Sequence, residues 1–332
     1  MRKFLREIRS VEGGNRFACV VDAVYPLFLY LLIRTEDEVA DTVFFFGKTI
    51  PQSVAQRLGR YFYATNYEWN GTDSPLWRER LRIRLKFLVL NLFFVRGRKV
   101  FAQDHLTYSG KILCRSRYTW LEDAPGSYRA MLGRVKPVRG FANLWEDFLY
   151  EGDLHGRLVG TGPQCVNRLV SREEDVQAAE GRHERVDIRA RWEALCPGRK
   201  KWMLDLFGVS EEMLRDFRAR DTVIFTQPLM LDCGIGMDET LAIFGPLVER
   251  YGEENVLIKV HPRDFFDYAA IFPRARIARV IVPMQLLNFV LPPFKRAITV
   301  CSTAVIHLPP ETEVIWLGTR VNEKILNRYG EH

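Results

Sequence analysis

The amino-acid sequence predicts an α/β protein built from two Rossmann-like, doubly wound domains facing a central cleft. Three observations predict it. Short apolar runs alternate with helical stretches in both halves of the chain, polar residues cluster directly after several of those runs, and 332 residues suffice for two cores of ordinary size. With 47% hydrophobic and 27% charged residues, the chain has the make-up of a folded protein rather than a disordered one.

The first domain is expected over residues 1–150. Arg16–Val21 (RFACVV) reads as a buried strand and Tyr25–Arg34 as the helix that follows it. Thr42–Phe46 (TVFFF) is a second strand, and Pro51–Tyr61 a helix opened by a proline suited to a first turn. Arg78–Lys99 (RERLRIRLKFLVLNLFFVRGRK) is a long helix, basic at first and then apolar. A core helix with a solvated basic end explains that pattern, and a helix lying on a membrane surface explains it too. Strands at Lys99–Ala102 and Tyr118–Leu121 complete the unit. Gly152–Gly162 is glycine-rich and Ser171–Arg191 is polar, so residues 151–198 are expected to be an irregular junction, with an added hairpin within its scope.

The α/β rhythm resumes over residues 199–332. Helices are expected at Lys200–Phe207, Ser210–Arg218 and Asp238–Tyr251. Strands are expected at Thr222–Thr226, Asn255–Val260, Arg279–Val282, Ala297–Val300 and Glu313–Leu317. Sheets of this kind bind ligands beyond the carboxyl ends of their strands. Two such domains across a cleft form the arrangement known as GT-B.

Charge and cysteine usage narrow the partners. A net charge of +7 favours anionic ones. Nucleic acid is not expected, because zinc-finger spacing and RNA-binding aromatic signatures are missing from the sequence. The six cysteines are scattered, with no CxxC pair, which suits a reducing compartment. The Arg-rich start lacks the apolar stretch of a signal peptide, and the longest apolar runs fall short of the ~20 residues that span a bilayer. A cytoplasmic protein, peripheral on the inner membrane at most, is the expectation.

Four elements could carry chemistry. Lys259-Val260-His261-Pro262-Arg263-Asp264 follows a strand directly, which places a histidine and two cations at a ligand crevice. Thr299–Thr303 (TVCST) sets Ser302 and Thr303 at a helix start, where hydroxyls and N–H groups either cap the helix or bind an anion. Thr226-Gln227-Pro228-Leu229 ends a third strand, and Asp238 opens the next helix as its cap or as a general base. In the first domain, Glu122-Asp123 lies in the run Trp120–Tyr128, a carboxylate pair whose mutual repulsion would raise one pKa. A solvated turn is the structural alternative for that pair.

In this order, the elements resemble bacterial sialyltransferases of glycosyltransferase family 52 and, more loosely, bacterial polysialyltransferases. The counterparts of the family's acidic pair, His-Pro and Ser/Thr motifs look like Glu122-Asp123, His261-Pro262 and Ser302-Thr303. Here Ala124-Pro125 stands where a glycine is expected, and Gly126 follows. The resemblance implies an inverting transfer of sialic acid from CMP-sialic acid to a bacterial surface glycan, lipooligosaccharide or capsule; lipid linkage of the acceptor and a homodimer of the protein are compatible with it. His261 would bond the phosphate and act as acid, with Lys259, Pro262, Arg263, Ser302, Thr303 and Gln227 on the donor and Glu122, Asp123 or Asp238 as base. Neither a cofactor nor a metal is implied. Another donor, such as CMP-Kdo or a UDP- or GDP-sugar, and a non-catalytic nucleotide-binding protein of glycan assembly are the alternatives.

Overall fold

A computed structural model of the chain describes residues 8, 11, 14–47, 49–63, 77–106, 108–113, 116–126, 128, 159–176 and 181–331. The chain divides into two compact units, Met1–Lys200 and Lys201–His332.

The first unit holds a seven-stranded parallel sheet. Its strands are β1 (Phe17–Val21), β2 (Thr42–Phe46), β3 (Tyr61–Tyr63), β4 (Lys99–Ala102), β5 (Tyr118–Leu121), β6 (Cys165–Val170) and β7 (His183–Arg185), in the order β3-β2-β1-β4-β5-β6-β7. β1 and β2 are buried at every position, the pattern of parallel strands covered on both faces. The Val24–Ile33 helix buries eight of its ten residues. The Trp77–Phe94 helix turns Ile83, Phe87, Leu90 and Phe94 inward at helical spacing. There they pack with Val20, Phe45, Phe62 and Trp120. Each such side chain removed from water contributes roughly 1.5–3 kcal/mol. Gly97, at φ 75°, stands just beyond the helix in the left-handed turn that a residue with Cβ adopts at a cost.

The second unit repeats the plan with five parallel strands: β8 (Thr222–Phe225), β9 (Val256–Lys259), β10 (Arg276–Ala278), β11 (Arg296–Thr299) and β12 (Glu313–Trp316), in the order β10-β9-β8-β11-β12. Ile224, Ile258 and Ile298 pack against Phe244 and Val248 of the Met237–Tyr251 helix.

Several boundaries depart from expectation. The stretch 151–198 is not an irregular junction where it is described, since β6 and β7 extend the first sheet by parallel pairing and its compact unit runs to Lys200. Half-exposed edge strands such as His183–Arg185 carry no apolar run that would announce them. Residues 151–158 and Cys114 lie outside the described residues. The helix expected at Pro51–Tyr61 is Gln52–Leu58, ending at Gly59 (φ 82°), and Tyr61 already belongs to β3. The strand expected at Arg279–Val282 is instead Arg276–Ala278. Arg279 turns its guanidinium onto the carbonyls of Asp264 and Phe266. Among the described residues, no helix is long and apolar enough to cross a membrane.

Candidate functional site

In the second sheet, chain order reverses direction on either side of β8, and that switch point is where parallel sheets open a crevice at their carboxyl ends. The last residues of the strands form one cross-strand row, Ala278–Lys259–Phe225–Thr299–Trp316. The loops carrying His261, Gln227 and Ser302 therefore emerge side by side. With neighbouring strands about 4.8 Å apart, β9 and β11 flank β8 at a separation of roughly 10 Å.

Thr226 and Gln227 tie these loops together. The Thr226 hydroxyl accepts the backbone N–H of His261 at 3.0 Å and donates to Asp264 at 2.6 Å. Buried Asp264 also accepts Tyr268 Oη at 2.9 Å and the N–H of Phe266 at 3.1 Å. The loop after β9 is thus anchored from beneath. On the other side, Gln227 Nε2 donates to Cys301 Sγ at 2.8 Å, and its Oε1 accepts the N–H of Cys301 at 3.3 Å. One dipeptide holds both the His-Pro and the Ser-Thr loops.

The imidazole has a defined polarity. His261 Nδ1 accepts the backbone N–H of Arg263 at 3.1 Å. The neutral ring therefore carries its proton on Nε2, the remaining donor. Burial, then Arg263 and Lys259, push the His261 pKa down to about 4. Lys259 is pushed down to about 8 by burial alone, and among the described residues no carboxylate pairs with it. Arg263 is committed differently, forked onto Asp232 at 3.1 and 3.4 Å, where Asp232 also accepts Tyr329 Oη. Pro262 is exposed between these residues.

Ser302 and Thr303 are half-buried. The helix expected to begin there is a single 3-10 turn, Thr303–Val305, capped by the Ser302 hydroxyl, which accepts the N–H of Ala304 at 3.3 Å. The N–H of Ser302 is taken by Thr299 Oγ1. A turn this short brings little dipole, so the hydroxyls are what remains for a ligand. Asp238 is exposed in the first turn of the Met237–Tyr251 helix. It is not the cap: Gly236 is, with Glu239 reaching back to the N–H of Gly236 at 3.1 Å.

The first sheet also has its switch point, between β1 and β4. There Gln103 Oε1 accepts the N–H of Asp22 at 2.8 Å, and Gln103 Nε2 donates to Asp123 Oδ1 at 2.5 Å. His105 Nε2 stands 3.6 Å from the same oxygen. The Asp123 side chain is 40% exposed and that of His105 only 10%. Burial lowers the His105 pKa, but Asp123, then Asp104 and Asp22, outweigh it and raise the pKa overall. Gly47 passes so close that a Cβ would sit 1.5 Å from Asp22 Oδ1. Glu122 is fully buried and receives the hydroxyl of Tyr25. Its pKa rises to about 7, and the first cause is desolvation rather than the repulsion by Asp123 expected of the pair. Gly126, at φ 69°, supplies the left-handed turn two residues later than the family pattern has it.

Asp22, Gln103 and His105 belong to none of the four elements, and Thr226 and Asp264, which do, act by anchoring the loop backbone. All lie within a few positions of a strand's carboxyl end. The rule that found His261 would have found the first three.

A model of glycosyltransferase family 52 matches residues 139–321, more than half of the chain. The chain belongs to glycosyltransferase family 52. It is a glycosyltransferase, as the order of its motifs implied. The matched stretch takes in Lys259–Arg263 and Ser302-Thr303 and begins after Glu122-Asp123. An uncharacterized protein of Haemophilus influenzae is 24% identical over 95% of this chain and 98% of its own length. Among solved structures, an alpha/beta-galactoside alpha-2,3-sialyltransferase from Photobacterium phosphoreum has a TM-score of 0.50 and 10% identity, covering 91% of this chain and 90% of the other. A sialyltransferase from Photobacterium damselae has a TM-score of 0.46 and 13% identity over 90% of each chain. The family 52 chain thus has the GT-B type of fold, an α/β protein with two mostly parallel sheets.

Proposed function

We propose that this family 52 transferase moves sialic acid from CMP-sialic acid to a terminal sugar of a bacterial surface glycan, lipooligosaccharide or capsule, with inversion at the anomeric carbon. What supports it above all is the carboxyl edge of the second sheet, where a neutral, Nε2-protonated imidazole adjoins a half-buried amine that no described carboxylate neutralises. A site that keeps the Lys259 amine desolvated with no carboxylate partner among the described residues is complementary to an anion such as a phosphate.

In this proposal the nucleotide phosphate lies between the His261 and Ser302-Thr303 loops. Its negative charge offsets the field that Lys259 and Arg263 impose on His261, while Nδ1 keeps the N–H of Arg263 and Nε2–H faces the phosphate. The bond from the anomeric carbon to the phosphate oxygen breaks, and His261 Nε2–H meets the charge that develops on the departing CMP, alongside Lys259. The acceptor hydroxyl attacks the opposite face of the anomeric carbon in one displacement and gives its proton to a carboxylate. Asp123 and Asp238 are the accessible candidates. Glu122, sealed beneath Tyr25, is assigned to support of the fold. This reading has the protein act on the cytoplasmic side, in the cytoplasm or peripheral on the inner membrane.

The test is a donor panel with glycan acceptors, read by released nucleotide and by the anomeric configuration of the product. CMP release and inverted product with CMP-sialic acid are expected. Turnover only with CMP-Kdo or with a UDP- or GDP-sugar would replace the donor assignment, and a retained configuration would overturn the single displacement.

A further inference from the structure

The Trp77–Phe94 helix has a face that the core does not use. Ile83, Phe87, Leu90 and Phe94 point inward, yet Leu85, Leu92 and Phe93 are 48%, 50% and 58% exposed and Trp77 is 53% exposed. Among the described residues of the first unit, just one other large hydrophobic residue is exposed, Val166, and it is less so at 38%. On the same outward arc lie Arg78 and Arg82, and beyond the helix come Arg96 and Lys99, all exposed. Over residues 77–99 the sequence carries eight Lys and Arg and a single acidic residue, Glu79.

We infer that this outward face docks the protein flat on an anionic lipid bilayer, with Leu85, Leu92 and Phe93 entering the headgroup boundary and the flanking arginines and Lys99 meeting lipid phosphates. The chemistry is that of interfacial helices, which pair an apolar stripe with cations and lie in the membrane plane. An 18-residue helix is about 27 Å long and far from a span once its charges are counted. A second copy of the chain is the weaker occupant on two grounds. A two-fold interface would set the same arginines against each other. One helix face about 10 Å wide also offers a few hundred Å² at most, well below the ~800 Å² per partner of a stable complex. This inference does not depend on the donor or on the catalytic residues.

The test is co-sedimentation of the full chain with vesicles of phosphatidylcholine alone or with 30% phosphatidylglycerol, alongside light scattering for oligomeric state. Binding to the anionic vesicles, weakened by salt, is expected. R78E/R82E is expected to lose at least ~30-fold in partitioning, about fivefold per arginine. L92S/F93S is expected to lose binding while keeping its circular dichroism and its nucleotide release with a water-soluble acceptor. Failure of the wild-type chain to bind anionic vesicles overturns the inference. So does unchanged binding by R78E/R82E, or a change of oligomeric state in L92S/F93S with vesicle binding intact.

Discussion

The carboxyl edges of the two sheets share a topology and differ in how their charges are settled. At the first, Asp123 is bonded to Gln103 and faces His105, Asp104 accepts Tyr118 and the N–H of Gly160, and Glu122 accepts Tyr25. At the second, Asp264 and Thr226 fix the backbone of the loop, while Lys259 and the Nε2 side of His261 are left to a ligand. The fold supplies the crevice twice. In the proposed function, residue chemistry assigns the anion to the second crevice and the acceptor proton to a carboxylate.

The comparison breaks first at His261. Changing it to Ala is expected to lower kcat by roughly 10²–10⁴-fold, the range for a general acid or a key donor to developing charge, with an unchanged thermal transition. Near-normal turnover would remove the ring from the chemistry. Lys259→Met should weaken nucleotide binding by roughly 10–100-fold, as for a lost charge-assisted hydrogen bond, measured by calorimetry. Its melting temperature should hold or rise, because a desolvated amine is replaced by an apolar chain of similar shape. A fall in both would mark Lys259 as structural.

The first edge is sharpened by pH. Glu122 has a folded pKa of about 7 against an ordinary value of 4.5, so the folded state binds more protons than the unfolded one between those values. Its contribution to stability is therefore present below about pH 4.5 and is lost as pH rises through about 7, by up to about 3 kcal/mol. Denaturant titrations of Glu122→Gln across this range should show that slope flattened; an unaltered slope would assign it elsewhere. Asp123→Asn, by contrast, should reduce turnover with little change in stability if Asp123 takes the acceptor proton. Asp238→Asn is the same test of the other candidate base, and the variant that loses turnover identifies it. The smallest effect is expected for Thr226→Val, which deletes the anchor of the His261 N–H and should cost about 1–3 kcal/mol of stability with a modest loss of rate.

Much of this was legible in the sequence. Buried parallel strands such as Phe17–Val21 and Thr42–Phe46 announce themselves as unbroken apolar runs, and the stretch from Lys259 to Asp264 follows such a run directly. Edge strands escaped because partial burial removes that signal, as at His183–Arg185 and Arg276–Ala278. The roles of the carboxylates escaped for another reason. Glu122 and Asp123 are adjacent in sequence just past β5, yet one is buried beneath the Tyr25 hydroxyl and the other is half-exposed, which no count of acidic residues conveys. The tautomer of His261 depends on one backbone N–H, that of Arg263, which only coordinates reveal.

The central claim is that the second edge receives a phosphate at His261. The most direct measurement is the pH titration of the His261 ring by NMR, with and without CMP. An apparent pKa near 4 in the free protein, rising by a unit or more on saturation with CMP, is the predicted result. A ring whose titration is the same with and without the nucleotide would contradict it.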